Sequence, residues 1–261
     1  MLEVATRLPV LREQVCADLA GRGLRRPRVL ATVARLLDMG TFRIGSDQYA
    51  AGDDPTFGVA TLRPEHTRTR AGSVVFEFPA KGGIDQVLRI DDTEACRVLR
   101  ELRRRRRTAQ RLFGYWDGRA WRDVRSDEVN DYLRTASGGE MTAKDFRTWH
   151  ATLWASRALA EAGPQQSMTA RRRVVAEAMR RVSGRLGNTP AVARASTWTP
   201  PARPLPGRHG RRPAVGLYRR RGRTGRSGAP RPLTGGGGPA ATVPPRPGHA
   251  HLDVRGLTAA G

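Results

Sequence analysis

The stretch Thr142-Ala-Lys-Asp-Phe-Arg-Thr-Trp149 decides how the rest of this 261-residue chain is read. Thr142 is a residue type that opens helices, and Asp145, three positions on, suits the positive end of a helix. Phe146, Trp149, Leu153 and Trp154 then recur at helical spacing, so a long helix is expected from this point. Two cations, Lys144 and Arg147, lie in its first turns. Only two of the 47 basic residues are lysines, Lys81 and Lys144. The arginine bias fits a GC-rich gene.

Working outward, Leu8, Leu11, Val15 and Leu19 mark a helix near the start, and Val29, Val33, Leu36 and Leu37 mark a second. Ser126 begins a helix through Leu133, and another runs from about Thr169 to Leu186. Ser73-Val-Val-Phe-Glu-Phe78 and Gln86-Val-Leu-Arg-Ile90 read as two short strands joined by a glycine-containing loop, with Lys81 at the hairpin tip. The expected fold class is α+β, mainly α-helical, with a small antiparallel β-hairpin or sheet.

Composition shifts near residue 196. Residues 197–261 hold 11 of the 18 prolines, 13 of the 29 glycines and 12 arginines, with Asp253 the one acidic residue. Such a segment cannot bury enough apolar surface to offset its chain entropy, so disorder is expected. The predicted division is a folded core over 1–196 and an Arg/Pro/Gly-rich tail over 197–261. The formal net charge of +23 points to a polyanionic partner, nucleic acid first, although charge alone does not choose among nucleic acid, membrane surface and ribosome. Cys16 and Cys96 show no metal-site or disulfide spacing, and no metal is expected. No basic segment precedes an apolar run at the N-terminus, and no apolar run nears the roughly 20 residues that span a bilayer. A cytoplasmic protein is expected, without membrane attachment.

Four stretches in order carry a resemblance. They are Thr41-Phe-Arg-Ile-Gly-Ser-Asp-Gln-Tyr49, Phe78-Pro-Ala-Lys-Gly82, the Thr142–Trp149 stretch and Leu186-Gly-Asn-Thr-Pro-Ala-Val-Ala-Arg194. Phe57-Gly-Val-Ala-Thr-Leu-Arg63 with His66, and Ser126-Asp-Glu-Val-Asn-Asp-Tyr-Leu133, support them. Together, over roughly residues 5–196, they resemble the catalytic core of type IB DNA topoisomerases, the bacterial branch related to the poxvirus enzyme. This core has the same general fold as tyrosine recombinases, which use a similar Arg, Lys and Tyr set. The Lys-Asp-Phe-Arg-Thr-Trp and Gly-Asn-Thr-Pro stretches favour the topoisomerase.

The resemblance implies relaxation of supercoiled DNA through a transient 3′-phosphotyrosyl link, without ATP, metal or other cofactor. It gives Arg43 and Arg147 the charge on the nonbridging phosphate oxygens, where guanidinium groups offer paired planar donors. It makes Lys81 the general acid for the departing 5′-oxygen and Asn188 a further phosphate donor. Lys144, Arg63, His66 and Arg194 are the expected contacts to double-stranded DNA. Taken one at a time, each candidate has an ordinary explanation. Arg43 could be a surface ion pair, Lys81 a solvated charge, Asn188 a helix cap and Arg147 a structural ion pair. The run Arg103–Arg107 reads equally as a phosphate-tracking cluster or a solvated helix end. The family's Leu-Pro-Gly turn is replaced beyond it by Thr108-Ala-Gln-Arg-Leu-Phe113, so no site is assigned there.

The family's attacking tyrosine is expected at position 197, counted from Asn188, but the chain reads Ser196-Thr-Trp-Thr-Pro200. A threonine hydroxyl stops short of the phenol position, and misplacement of about 1 Å can cost roughly a hundredfold in rate. Back-translation gives ACN-TGG-ACN for residues 197–199. One T restored in front makes TAC-NTG-GAC, which encodes Tyr, then Val, Leu or Met, then Asp. The family commonly has Tyr-Val-His-Pro or Tyr-Val-Asp-Pro here. Residues 197–261 are therefore expected to be out of frame and the chain inactive, a non-catalytic DNA-binding remnant in the alternative reading. Tyr218, in the tail, is incidental. The chain also starts near the helix that precedes the catalytic core, so the family's N-terminal β-rich clamp is expected to be missing and DNA binding to be weaker and more salt-sensitive. A nucleoid-associated monomer is expected.

Overall fold

The computed structural model describes residues 2–51, 53–70, 72–197 and 251–252. Helix α1 (Leu2–Leu19) lays Leu8, Leu11, Val15 and Leu19 along one buried stripe. Helix α2 (Arg26–Leu37) is buried nearly all round and forms the centre of the core. The short α3 (Asp47–Ala50) follows. Strands β1 (Thr67–Arg70), β2 (Ser73–Ala80) and β3 (Ile84–Ile90) form an antiparallel sheet, with Phe76 opposite Leu88 and Phe78 opposite Gln86. Then come α4 (Thr93–Arg105), the small hairpin β4 (Gly114–Trp116) and β5 (Trp121–Asp123), and α5 (Ser126–Ser137). Helices α6 (Ala143–Ala162), α7 (Met168–Leu186) and α8 (Pro190–Thr197) complete the core. The fold is α+β and mainly helical. Among the described residues no helix is long and apolar enough to cross a membrane.

Helix α6 begins where its sequence dictates. The Asp145 carboxylate accepts from the Thr142 N–H at 2.8 Å and from its hydroxyl at 2.7 Å, tying the first turn to the residue before it. Phe146 and Trp154 are buried, the first in the main core and the second in a separate cluster. That second cluster joins α6, α7 and α8 through Ala151, Trp154, Met179, Val182, Leu186 and Ala193. The segment carrying Asn188 and position 197 thus has its own apolar support, next to the main core.

Three features differ from the sequence expectations. Strand β1 and the β4–β5 hairpin are added to the two predicted strands. Arg106, inside the arginine run, is buried, ion-paired with Asp123 and stacked 5.3 Å from the Trp121 ring centroid. Helix α4 ends at Arg105 and turns this one side chain inward, while Arg103, Arg104, Arg105 and Arg107 stay exposed. Within the tail, His251–Leu252 forms a two-residue strand, β6, parallel to β3. The rest of the expectation for 198–261 lies outside the described residues.

Candidate active site

The site starts at the end of α2. Gly40, at φ +78°, takes the left-handed conformation that stops the helix, and its N–H donates to Leu37 O at 2.9 Å. The chain then runs extended. Phe42 points inward, its ring 5.2 Å from that of Phe76 and 6.4 Å from that of Phe78. Alternation sends Arg43 the other way. The backbone of Arg43 is itself held, because its carbonyl accepts from the Val59 N–H at 2.8 Å and that of Ile44 accepts from the Ala60 N–H at 2.8 Å.

From across the core, α6 brings Arg147. Both guanidiniums reach the C-terminal end of α7, where the last carbonyls lack partners within the helix. Arg43 Nη2 donates to Leu186 O at 3.4 Å and Gly187 O at 3.1 Å. Arg147 Nη2 donates to Leu186 O at 2.8 Å, and its Nη1 donates to Thr41 O at 3.5 Å. Gly187 closes the helix at φ 58°, and a Cβ there would lie 3.1 Å from Gln86 Nε2, so a larger residue would crowd the pocket wall.

Among the described residues, neither arginine forms an ion pair with a carboxylate. Burial lowers the Arg43 guanidinium from its usual range. Burial, and then the neighbouring Arg43 charge, press Arg147 down to about 9. Two desolvated cations without a counter-charge destabilise one another, and an anion between them would relieve both. Each guanidinium carries five N–H groups, more than these carbonyl bonds use. The small pocket beside them is lined by Thr41, Arg43, Phe57, Phe78, Gln86 and Gly187. The Thr41 hydroxyl and the Asn188 Oδ1 are buried there or next to it without hydrogen-bond partners. The Asn188 side chain therefore does not cap α8; Thr189 takes that part, accepting from the Val192 N–H at 3.3 Å, while the Asn188 N–H closes α7 on Ser183 O at 3.1 Å.

The remaining candidates spread around this centre. Lys81 sits in the exposed turn between β2 and β3, its Nζ 5.7 Å from the centroid of the exposed Tyr49 ring. His66 packs edge-on against Phe57, with centroids 4.4 Å apart, and its Nδ1 accepts from the Arg63 N–H at 3.1 Å. Burial lowers the His66 pKa, which outweighs the pull of Glu65, so the ring is neutral at pH 7. Arg63 lies over the Phe57 ring and pairs loosely with Glu65. Both residues stand behind the aromatic wall of the pocket. Lys144 is exposed one turn before Arg147 on α6, and Arg194 is exposed on α8. Thr197 is the last residue of α8.

Thr41 and Gln86 were not singled out from the sequence. The hairpin register offered a signal for one of them, since Gln86 pairs directly with Phe78 of the lysine motif.

Residues 1–199 match the family described as eukaryotic DNA topoisomerase I, catalytic core. The chain is also similar to a DNA topoisomerase 1B of Acanthamoeba polyphaga mimivirus, 25% identical over 200 residues that cover 72% of this chain and 58% of that protein. The chain thus spans little more than half the length of this curated relative.

Proposed function

Because the chain belongs to the family of DNA topoisomerase I catalytic cores, an isomerase family of type IB, we propose that its Arg43 and Arg147 guanidiniums together receive one backbone phosphate of double-stranded DNA. The observation that carries this reading is the pair Arg43 and Arg147, converging on one helix end with no carboxylate partner among the described residues and with donors to spare. A phosphodiester undergoing transesterification gathers negative charge on its nonbridging oxygens, and preorganised guanidiniums answer it. Lys81, on a long flexible stem at the hairpin turn, serves as proton donor to the departing oxygen. Asn188, whose side-chain oxygen is unpartnered, adds a further phosphate contact through its NH2 group, and Lys144, Arg63, His66 and Arg194 lie along the flanking backbone. The protein acts as a monomer on duplex DNA.

Attack requires a nucleophile, and position 197 holds threonine at the end of α8. In this reading the chain binds DNA and does not cleave it. The cause is one lost base at codon 197, which puts 197–261 out of frame. The Tyr-containing codons recovered by restoring one T, and the shift to an Arg/Pro/Gly-rich composition from residue 197, support this assignment. The test incubates the purified chain, without ATP or divalent metal, with a labelled duplex and with supercoiled plasmid. Salt-sensitive duplex binding with the plasmid left supercoiled is expected. Relaxation of the plasmid, or no binding to the duplex, overturns the reading.

A further inference from the structure

Helix α6 grips the segment leading to Arg43 at two points one helical turn apart. Arg147 reaches Thr41 O. Three residues on, His150 Nε2 lies 2.6 Å from Asp38 O. A carbonyl only accepts, so Nε2 carries the proton. The Asp38 carboxylate is held in turn by Arg12 of α1, at 2.7 Å from Nε and 3.0 Å from Nη2, and its Oδ1 lies 3.7 Å from His150 Nε2. His150 is buried against Trp154, with ring centroids 5.5 Å apart. Its ring sits directly over Gly40, where a Cβ would come within 2.5 Å of His150 Cγ. Gly40 is therefore fixed twice, by its positive φ and by the imidazole that covers it.

We infer that His150 is a positioning residue. By bonding to the α2 terminus at Asp38, it sets where Thr41 and Arg43 emerge relative to Arg147 on its own helix, and so sets the spacing of the two guanidiniums that face a phosphate. This rests on the phosphate-site reading above. Sliding α6 by even a fraction of a turn would part Arg147 from Thr41 O and pull the two cations off their shared carbonyl. The Arg12–Asp38 pair ties the same point to α1, so three helices meet at one residue.

Two full-chain variants separate geometry from packing. His150→Phe keeps a ring against Trp154 and over Gly40 but has no donor, whereas His150→Gln keeps an N–H donor and loses the ring. Duplex affinity is measured against salt for each, beside thermal unfolding. The guanidinium N–H signals of Arg43 and Arg147 in the DNA-free protein are followed by NMR, assigned by their loss in Arg43→Ala and Arg147→Ala. With Phe, the two arginine signals should be lost and the salt slope should become shallower by about 0.9 for each phosphate that is no longer neutralised. With Gln, both should stay close to the unsubstituted chain even where the melting temperature falls. Arginine signals and slope that are unchanged in Phe, or that follow melting temperature across the two variants, overturn the inference. An unsubstituted chain that does not bind duplex, while the arginine signals still respond to Phe and not Gln, refutes the phosphate reading and leaves the positioning role of His150 standing.

Discussion

Arg43 and Arg147 donate to the same acceptor, the carbonyl oxygen of Leu186, at 3.4 and 2.8 Å. Two like charges are thereby held side by side at the negative end of a helix, where a cation is favoured. The partial charge of a helix end offsets only part of two cations, so the site retains an appetite for an anion. From this pairing come the effects expected of substitutions here.

Arg43→Ala and Arg147→Ala should each weaken duplex binding about equally for all DNA sequences, and each should reduce the slope of log affinity against log salt by about 1. Fluorescence anisotropy between about 50 and 200 mM salt measures it. Loss of affinity at one salt concentration with an unchanged slope would mean that neither side chain meets a phosphate.

Much of the scaffold is legible in the sequence because it depends on local spacing. The stripe Leu8, Leu11, Val15 and Leu19 is buried as its periodicity requires, and Thr142 with Asp145 starts α6 where the residue types place it. Strand β1 is not legible. Thr67-Arg-Thr-Arg70 has no apolar alternation and becomes a strand only because β2 offers its edge. The β4–β5 hairpin has three-residue strands, too short for a period to show. Arg106 looks like its four neighbours, and only the position of Asp123 across the turn distinguishes it. The site divides in the same way. Its cations stand in quotable motifs, whereas the bond from His150 to Asp38 joins residues 112 positions apart and leaves no local pattern.

The Asp38 junction makes a stability prediction. Burial pushes its carboxyl up, but the nearby His150 and the bonded Arg12 outweigh that and hold it below the usual carboxylate range. A depressed carboxyl pKa stabilises the fold above its unfolded value, and that contribution is lost as pH falls through the folded value. Removing one partner of a buried pair strands the other, so Asp38→Ala should cost about 3 kcal/mol or more at neutral pH. Urea unfolding from pH 7 down to 3 should show the difference between unsubstituted and variant chains shrinking below about pH 4. A constant difference would mean that the charge on Asp38 contributes nothing.

Thr197→Tyr by itself should restore little. The phenol would end α8 with the downstream residues still out of frame, and an error of about 1 Å in its placement lowers the rate on the order of a hundredfold. Covalent trapping on a duplex nicked to prevent religation measures it; an adduct forming as fast as in a frame-restored chain would show that position 197 alone was at fault.

The most direct measurement restores the single T before codon 197 and asks whether the resulting chain relaxes supercoiled plasmid without ATP or metal. The account predicts relaxation through a protein–DNA adduct at the new tyrosine, abolished by Arg43→Ala or Arg147→Ala. A frame-restored chain that folds and binds duplex but forms no adduct, or a gene in which no one-base shift yields tyrosine at position 197, would contradict it.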